Sequence, residues 1–247
     1  MFKMANTLEI FTVSFLTSFV FGLGGLGSAV ALIPILVFLG VPFPVARPAG
    51  LFTNFVSTFS ATIHNLRKNL IDLKFALQIV ATSILLAPVG AYCSHLVPEK
   101  IVGIAFTAFL FFAGIMVYVP KKGVFKEDFS IVIPLFTGGL AGFVSGFLGV
   151  GGGGLISPIL IVAGFNPKKV ATVTAFAVPF SSIAGFFTYW KMGSVDWMVT
   201  LSSAIPAVFA GYLSAYISHK YLKPQHVKKI LGIIFFLLGI KFLTKFI

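Results

Sequence analysis

The chain of 247 residues is 58% apolar and only 10% charged, with a mean hydropathy of +1.05. A soluble domain carries roughly 25% charge, so this composition excludes a soluble globular protein and a disordered tail, and a single cysteine, Cys93, excludes a disulfide scaffold. The net charge of +12 comes from 18 Lys/Arg against six Asp/Glu; because these stand in short breaks between apolar runs, they read as loop lysines of a membrane protein and not as a nucleic-acid surface.

Residues 10–46, 75–98, 101–120 and 129–167 contain no Asp, Glu, Lys or Arg. Uncharged apolar runs of about 20 residues are transmembrane candidates. Met1–Phe21, with Lys3 before an apolar run, has the outline of a signal peptide, but it opens a pattern that recurs at Val132–Val144 and is expected to stay in the protein. The first apolar segment, Leu8–Leu39, and a later one, Ser130–Ala163, each exceed 30 residues. At ~1.5 Å per residue each is too long for one crossing of a ~30 Å core. Both carry glycines at the centre, GLGGLGS at Gly22–Ser28 and GFLGVGGGG at Gly146–Gly154. Glycine disfavours helix by ~1 kcal/mol each, so each long segment is expected to be two half-helices around a break. The remaining expected spans are Pro48–Leu66, Phe75–Val97, Ile101–Val119, Val170–Trp190, Trp197–His219 and Val227–Leu243, giving eight hydrophobic segments.

Shifted by 124 residues, Phe19–Asp72 aligns without a gap on Phe143–Asp196. Identical pairs include Gly22/Gly146, Gly27/Gly151, Pro34/Pro158, Gly40/Gly164, Ser57/Ser181 and Asp72/Asp196. Composition alone rarely matches glycines, prolines and an aspartate in one register. The expected organisation is therefore two homologous repeats, 1–119 and 130–247, joined by the polar linker 120–129. If each long segment dips in and returns to the same side, the second repeat is inverted. One side then collects twelve Lys/Arg, from Arg67 to Lys229, and the other six: Lys3, Arg47, Lys100, Lys191, Lys241 and Lys245. Eight full crossings would split them ten to eight, so the positive-inside rule favours the inverted arrangement with both termini outside. The expected fold is an all-α polytopic membrane protein: an inverted repeat, each half a Gly-broken re-entrant helix pair plus three transmembrane helices.

Irregular backbone at membrane depth survives only where protein shelters it or it lines a cavity. Paired breaks across an inverted repeat mark substrate sites near the midplane. Half-helix N-termini expose N–H groups and a positive dipole end, which suit an anion. A polar stripe follows each break: Thr53, Asn54, Ser57, Thr58 and Ser60, then Thr172, Thr174, Ser181 and Ser182. Single hydroxyls there are more often interhelical glue; Asn54 is the strongest ligand candidate. Asp72 and Asp196 read as helix N-caps, and no carboxylate falls in mid-span. Arg47 flanks the mouth of the first broken segment, where it reads first as an ordinary interfacial arginine and second as an attractor of anions. His64, His95, His219 and His226 read as interfacial, with His64 alone the alternative of a proton carrier, and Tyr189 with the tryptophans as part of an aromatic belt. Cys93 and His95 lack further metal-ligand partners, and Ser28 and Ser157 lack the deep histidine a serine nucleophile needs. No cofactor, metal or catalytic residue is expected.

The pair GLGGLGSAVALIPILVFLG and GFLGVGGGGLISPILIVAG, with the polar helices closing in HNLRKNLIDL and YWKMGSVDW, resembles the TauE/SafE sulfite-exporter family over almost the whole chain. Arg47-Pro48-Ala49-Gly50 departs from the family's commoner Ala-x-Gly-Thr-Ser-like run. The resemblance implies an integral protein of a bacterial or archaeal plasma membrane that exports small sulfur oxyanions such as sulfite or organosulfonates. It implies substrate contacts at Gly25, Gly27, Ser28, Gly149, Gly151 and Gly152, with Asn54, Ser57, Ser181 and Ser182 beside them. The partners expected are a small anion, the bilayer and, as an open candidate, a second copy of the chain; nucleic acid is not among them. An anion channel of the same fold and a non-transporting structural membrane protein are the alternatives.

Overall fold

The computed structural model describes residues 6–24, 27–67, 71–118, 131–220 and 224–246; the linker 120–129 and Gly25 lie outside them. The described residues form ten helices: α1 (Thr7–Gly24), α2 (Ala29–Phe38), α3 (Phe43–Arg67), α4 (Leu73–Leu96), α5 (Glu99–Tyr118), α6 (Val132–Leu148), α7 (Gly153–Val162), α8 (Pro167–Lys191), α9 (Trp197–Lys220) and α10 (Pro224–Phe246). Each long apolar segment is a pair of helices that part at its glycines, α1/α2 and α6/α7. Among the described residues, α4, α5, α8 and α9 are long and apolar enough to cross a membrane. Their outward side chains, such as Leu77, Leu85, Val89, Ile205 and Phe209, are large and apolar, as lipid contact requires. The chain is an integral, multi-pass membrane protein. α3 is less apolar because of the stripe from Thr53 to Thr62.

Local signals set the ends of these helices. Asp72 caps α4, accepting from the Phe75 amide at 3.1 Å. Asp196 caps α9, accepting from Met198 and Val199 at 2.9 and 3.1 Å. Asp72 also meets Lys169 of α8 at 2.6 Å. The Lys169 hydrogen bond, helped by the Phe75 and Lys74 amides, holds the Asp72 carboxyl below the usual range against partial burial. The turns after the short helices match closely. Gly40 and Gly164 both have φ +94. Val41 donates to Leu36 O and Phe165 to Leu160 O, both at 3.0 Å.

Packing partners repeat as well. α4 lies on α6 as α1 lies on α9, α3 on α9 as α8 on α4, and α2 on α3 as α7 on α8; α3 packs on α8, and α5 on α10. Contacts along the chain fix the directions. On α3 and α8, Arg47 meets Tyr189, Asn54 meets Ser182 and Thr62 meets Ala175, so the two run antiparallel. α5 and α10 are also antiparallel, Gly103 facing Phe246 and Gly114 facing Phe236. α4 and α8 run parallel, joined by Asp72–Lys169 at one end and Ser94–Tyr189 at the other. α6 runs parallel to α4, with Gly138, Gly142 and Gly146 against Ile79, Ser83 and Ala87. Hence α6 and α8 point the same way, and α7 runs back between them, its Ser157 bonded to Thr174 of α8.

Two apolar clusters flank the α3–α8 seam. One joins α2, α5 and α10, where the Phe43, Phe106 and Phe242 ring centroids lie 5.0 to 5.7 Å apart. The other joins α4, α7 and α8 around Ile79, Ile156 and Val173. Apolar burial gives no net drive between helices already in lipid, so close backbone approach matters more. α6 meets α4 that way: a Cβ at Gly138, Gly142 or Gly146 would strike a carbonyl of α4. Gly142→Ala, aimed at the Ser83 carbonyl at 2.5 Å, is expected to destabilise the protein by about 1–3 kcal/mol. Gly139→Ala meets first the flexible end of Leu86 at 3.0 Å and is expected to cost less. Thermal unfolding in detergent checks the ranking; equal transitions for the two would contradict it.

Candidate functional site

At the first break, Gly27 has φ +83 and its α-carbon faces Asn54 Oδ1 of α3. At the second, Gly151 has φ +71 and its α-carbon faces Asn54 Nδ2 and Ser182 Oγ of α8. L-residues with a side chain avoid this backbone region, and a Cβ at either position would press on Asn54. Both breaks therefore close on one side chain. Asn54 is fully buried, donates to Ser182 Oγ at 2.9 Å and, among the described residues, has no partner for Oδ1.

The short helices start beside it. The first intrahelical bonds of α2 run from Ala31 and Leu32 to Ser28 O, and those of α7 from Leu155 and Ile156 to Gly152 O. The amides before them, at Ala29 and Val30 and at Gly153 and Gly154, have no intrahelical acceptor. Ser28 sits at the start of α2, buried, with Oγ unpartnered. Next to Gly27 a cavity of about 40 Å³ is lined by Gly22, Ser57, Thr58, Ala61, Ala175 and their neighbours. That is room for a few water-sized groups.

The structure thus brings together Gly27, Ser28, Asn54, Gly151 and Ser182, with Ser57 on the cavity wall. Gly149 and Ser181 face elsewhere, and Gly152 stands between Gly151 and the first amides of α7. Gly149 is the left-handed cap of α6 and packs on Arg47. Gly152 caps α7 and faces Ala141. Ser181 bonds back to Val178 O at 3.0 Å. Gly25 and the His64 side chain lie outside the described residues. Of the other hydroxyls, Thr53 donates across to Ser203 of α9 at 2.8 Å, and Thr58 bonds back to Asn54 O of its own helix at 2.6 Å.

Two residues of the seam differ from their sequence reading. Arg47 is not interfacial but buried, 5% exposed, and Tyr189 is not in an aromatic belt but 1% exposed. Arg47 Nη1 donates to Phe147 O at 3.4 Å and Tyr189 Oη at 3.1 Å. Tyr189 donates to Gly146 O at 2.9 Å, and Ser94 Oγ lies 2.8 Å from it. The guanidinium also stacks 5.0 Å from the Phe43 ring and 5.3 Å from the Tyr189 ring. Arg47 and Tyr189 so receive carbonyls from the last turn of α6, the negative end of that helix. Arg47 adjoins a loop in sequence, and the group that buries it comes from 100 residues away. The available signal was its seven-residue spacing from Asn54, which puts both on one face of α3.

A family model described as Sulfite exporter TauE/SafE matches residues 10–242. The chain is 24% identical to a probable membrane transporter protein of Methanocaldococcus jannaschii, over 92% of each chain. It is 25% identical to the probable membrane transporter protein YunE of Bacillus subtilis, over 87% of this chain and 89% of that one. A 100-residue stretch, 40% of this chain and 23% of the relative, is 33% identical to Sulfite exporter TauE/SafE family protein 6 of Arabidopsis thaliana. No solved structure matches.

Interhelical hydrogen bonds in membranes contribute ~0.6 kcal/mol on average and ~1.7 kcal/mol at most. Asn54→Ala and Thr53→Ala each remove one such bond, to Ser182 and Ser203, and each is expected to cost less than about 2 kcal/mol. Thermal unfolding checks this; a loss far beyond that range for Asn54→Ala would make it a structural keystone and not a ligand.

Proposed function

The chain belongs to the TauE/SafE sulfite exporter family, and from that premise we propose that it is a secondary transporter of small sulfur oxyanions, sulfite or an organosulfonate. The anion binds between the two glycine breaks, at Gly27, Ser28, Asn54, Gly151 and Ser182, and the protein works by alternating access. The observation that carries this reading is the closure of both breaks on the single buried Asn54, beside the starts of α2 and α7. Helix-start amides hold an oxyanion through partial charge and release it more readily than a buried lysine would.

On this reading the alternation is between two repeats, 1–119 and 130–247, related by inversion. In support, α3 and α8 hold the same place in their halves yet run in opposite directions, as do α5 and α10. For helices lying along the membrane normal, that is the relation an inverted repeat requires. The return of α7 between the parallel α6 and α8 supports a re-entrant pair. The lysine distribution then puts the α3–α4 turn inside the cell.

The direction of transport follows from charge. A monovalent anion leaving an inside-negative cell gains about 2.3 kcal/mol per 100 mV, so export needs no proton relay. The hydrogen bonds that close the seam, Asn54 to Ser182 and Arg47 to Tyr189, favour a carrier over an open channel.

Flux into and out of proteoliposomes under an imposed potential tests the reading, with sulfite, sulfoacetate, thiosulfate, sulfate and chloride as the panel. The expected result is saturable, voltage-responsive flux of a sulfur oxyanion. Gly151→Ala, whose Cβ presses on Asn54, is expected to weaken binding at least tenfold, the scale of one hydrogen bond to a charged group, with the fold intact. No flux of any anion by folded protein, or wild-type affinity in Gly151→Ala, contradicts the reading.

A further inference from the structure

The α3–α8 seam repeats every seven residues: Arg47, Asn54 and Ala61 on α3 oppose Tyr189, Ser182 and Ala175 on α8. A seven-residue step returns to the same helix face within ~20° and advances ~10.5 Å. Three levels therefore lie in line. The cavity adjoins Ala61 and Ala175, the neutral Asn54–Ser182 pair is in the middle, and a cation stands at the far end. Among the described residues that cation forms no ion pair. Only Nη1 is needed for the carbonyl of α6, and the buried Nε has no acceptor. The residues 124 positions away from Arg47 and Tyr189 are Ala171 and Asn65, so the buried Arg47–Tyr189 pair has no counterpart at the other end of the seam, where Lys169 is paired with Asp72.

A buried guanidinium without a counter-ion is costly, and ionisable groups in membrane-spanning helices mark ion pathways by default. The free Nε edge belongs to the fork that binds carboxylates and other oxyanions through paired N–H donors. We propose that Arg47 is a second contact for the transported anion, at the mouth of the seam opposite the Ala61–Ala175 cavity. The anion passing Asn54 meets the Nε edge of Arg47, and the Tyr189 hydroxyl is the group that Arg47 gives up to receive it. Nη1 stays on Phe147 O, so α6 keeps its cap. On the lysine-derived orientation this is the outer mouth, where the fixed charge draws the anion off the neutral site. The inference rests on the transporter reading above.

The test is sulfite flux by wild-type protein, Arg47→Gln and Arg47→Lys in proteoliposomes, with thermal unfolding and equilibrium sulfite binding measured on each. Arg47→Gln is expected to keep binding within about threefold, because Asn54 and the amides remain, and to lose at least tenfold in turnover. Arg47→Lys keeps the charge and loses the fork. It is expected to raise KM by threefold to tenfold and to turn over faster than the Gln variant. Wild-type flux and KM in Arg47→Gln overturn the proposal, as do equal losses in the two variants. If Arg47→Gln does not fold, Arg47→Lys decides by its KM alone. If neither folds, Arg47 is the cap of α6 and nothing more. A wild-type protein that moves no sulfite overturns the transporter reading and this inference with it, whereas failure of this inference alone leaves wild-type flux and the effect of Gly151→Ala in place.

Discussion

A helix that stops inside a bilayer strands backbone N–H and C=O groups where no water can take them, and each costs several kcal/mol in hydrocarbon. Two long apolar segments of this protein break at their glycines, between α1 and α2 and between α6 and α7, and on the proposed reading the neighbouring helices are the shelter those breaks need. α3 and α8 cross between the breaks and offer them Asn54 and Ser182. Arg47 and Tyr189 take the carbonyls at the end of α6. The glycine stripe of α6 lets it lie on α4 closely enough to exclude lipid. Glycine recurs here for two separate reasons, close approach in the stripe and positive φ at the breaks.

The same shelter prepares the chemistry proposed for the site. Helix-start amides and an asparagine are neutral donors, so they can hold an anion without trapping it. The buried Arg47, proposed as a second contact, stands two turns from Asn54 and outside that neutral site. The turns after α2 and α7 match, at Gly40 and Gly164. The side chains differ along the seam: Asn54 against Val178, Arg47 against Ala171.

Much of this was legible in the sequence because it depends on local or periodic signals. Uncharged runs gave the membrane class, glycine clusters gave the breaks, and Asp72 and Asp196 gave the caps of α4 and α9. Asn54 stood out as the one amide on a stripe of hydroxyls. Gly149, Gly152 and Ser181 were grouped with the site by the family resemblance, position by position. A step of one or two residues at a helix end turns a side chain to another face, and the structure sends Ser181 back to its own helix while Ser182 reaches Asn54. Arg47 and Tyr189 were misjudged for a different reason. Each sits near a span end, where snorkelling to water is the ordinary fate. Their burial comes from α6, which the chain reaches only after the whole first half, and no local pattern records that contact.

The central claim is that both breaks form one anion site centred on Asn54. Its most direct measurement is an experimental structure of the protein bound to sulfite or, if that exchanges too fast, to sulfoacetate. The account predicts ligand density within hydrogen-bond distance of the Asn54 side chain and of the amides that begin α2 or α7. Density confined to the exposed lysines, with Asn54 still closed on Ser182 at saturating anion, would contradict it.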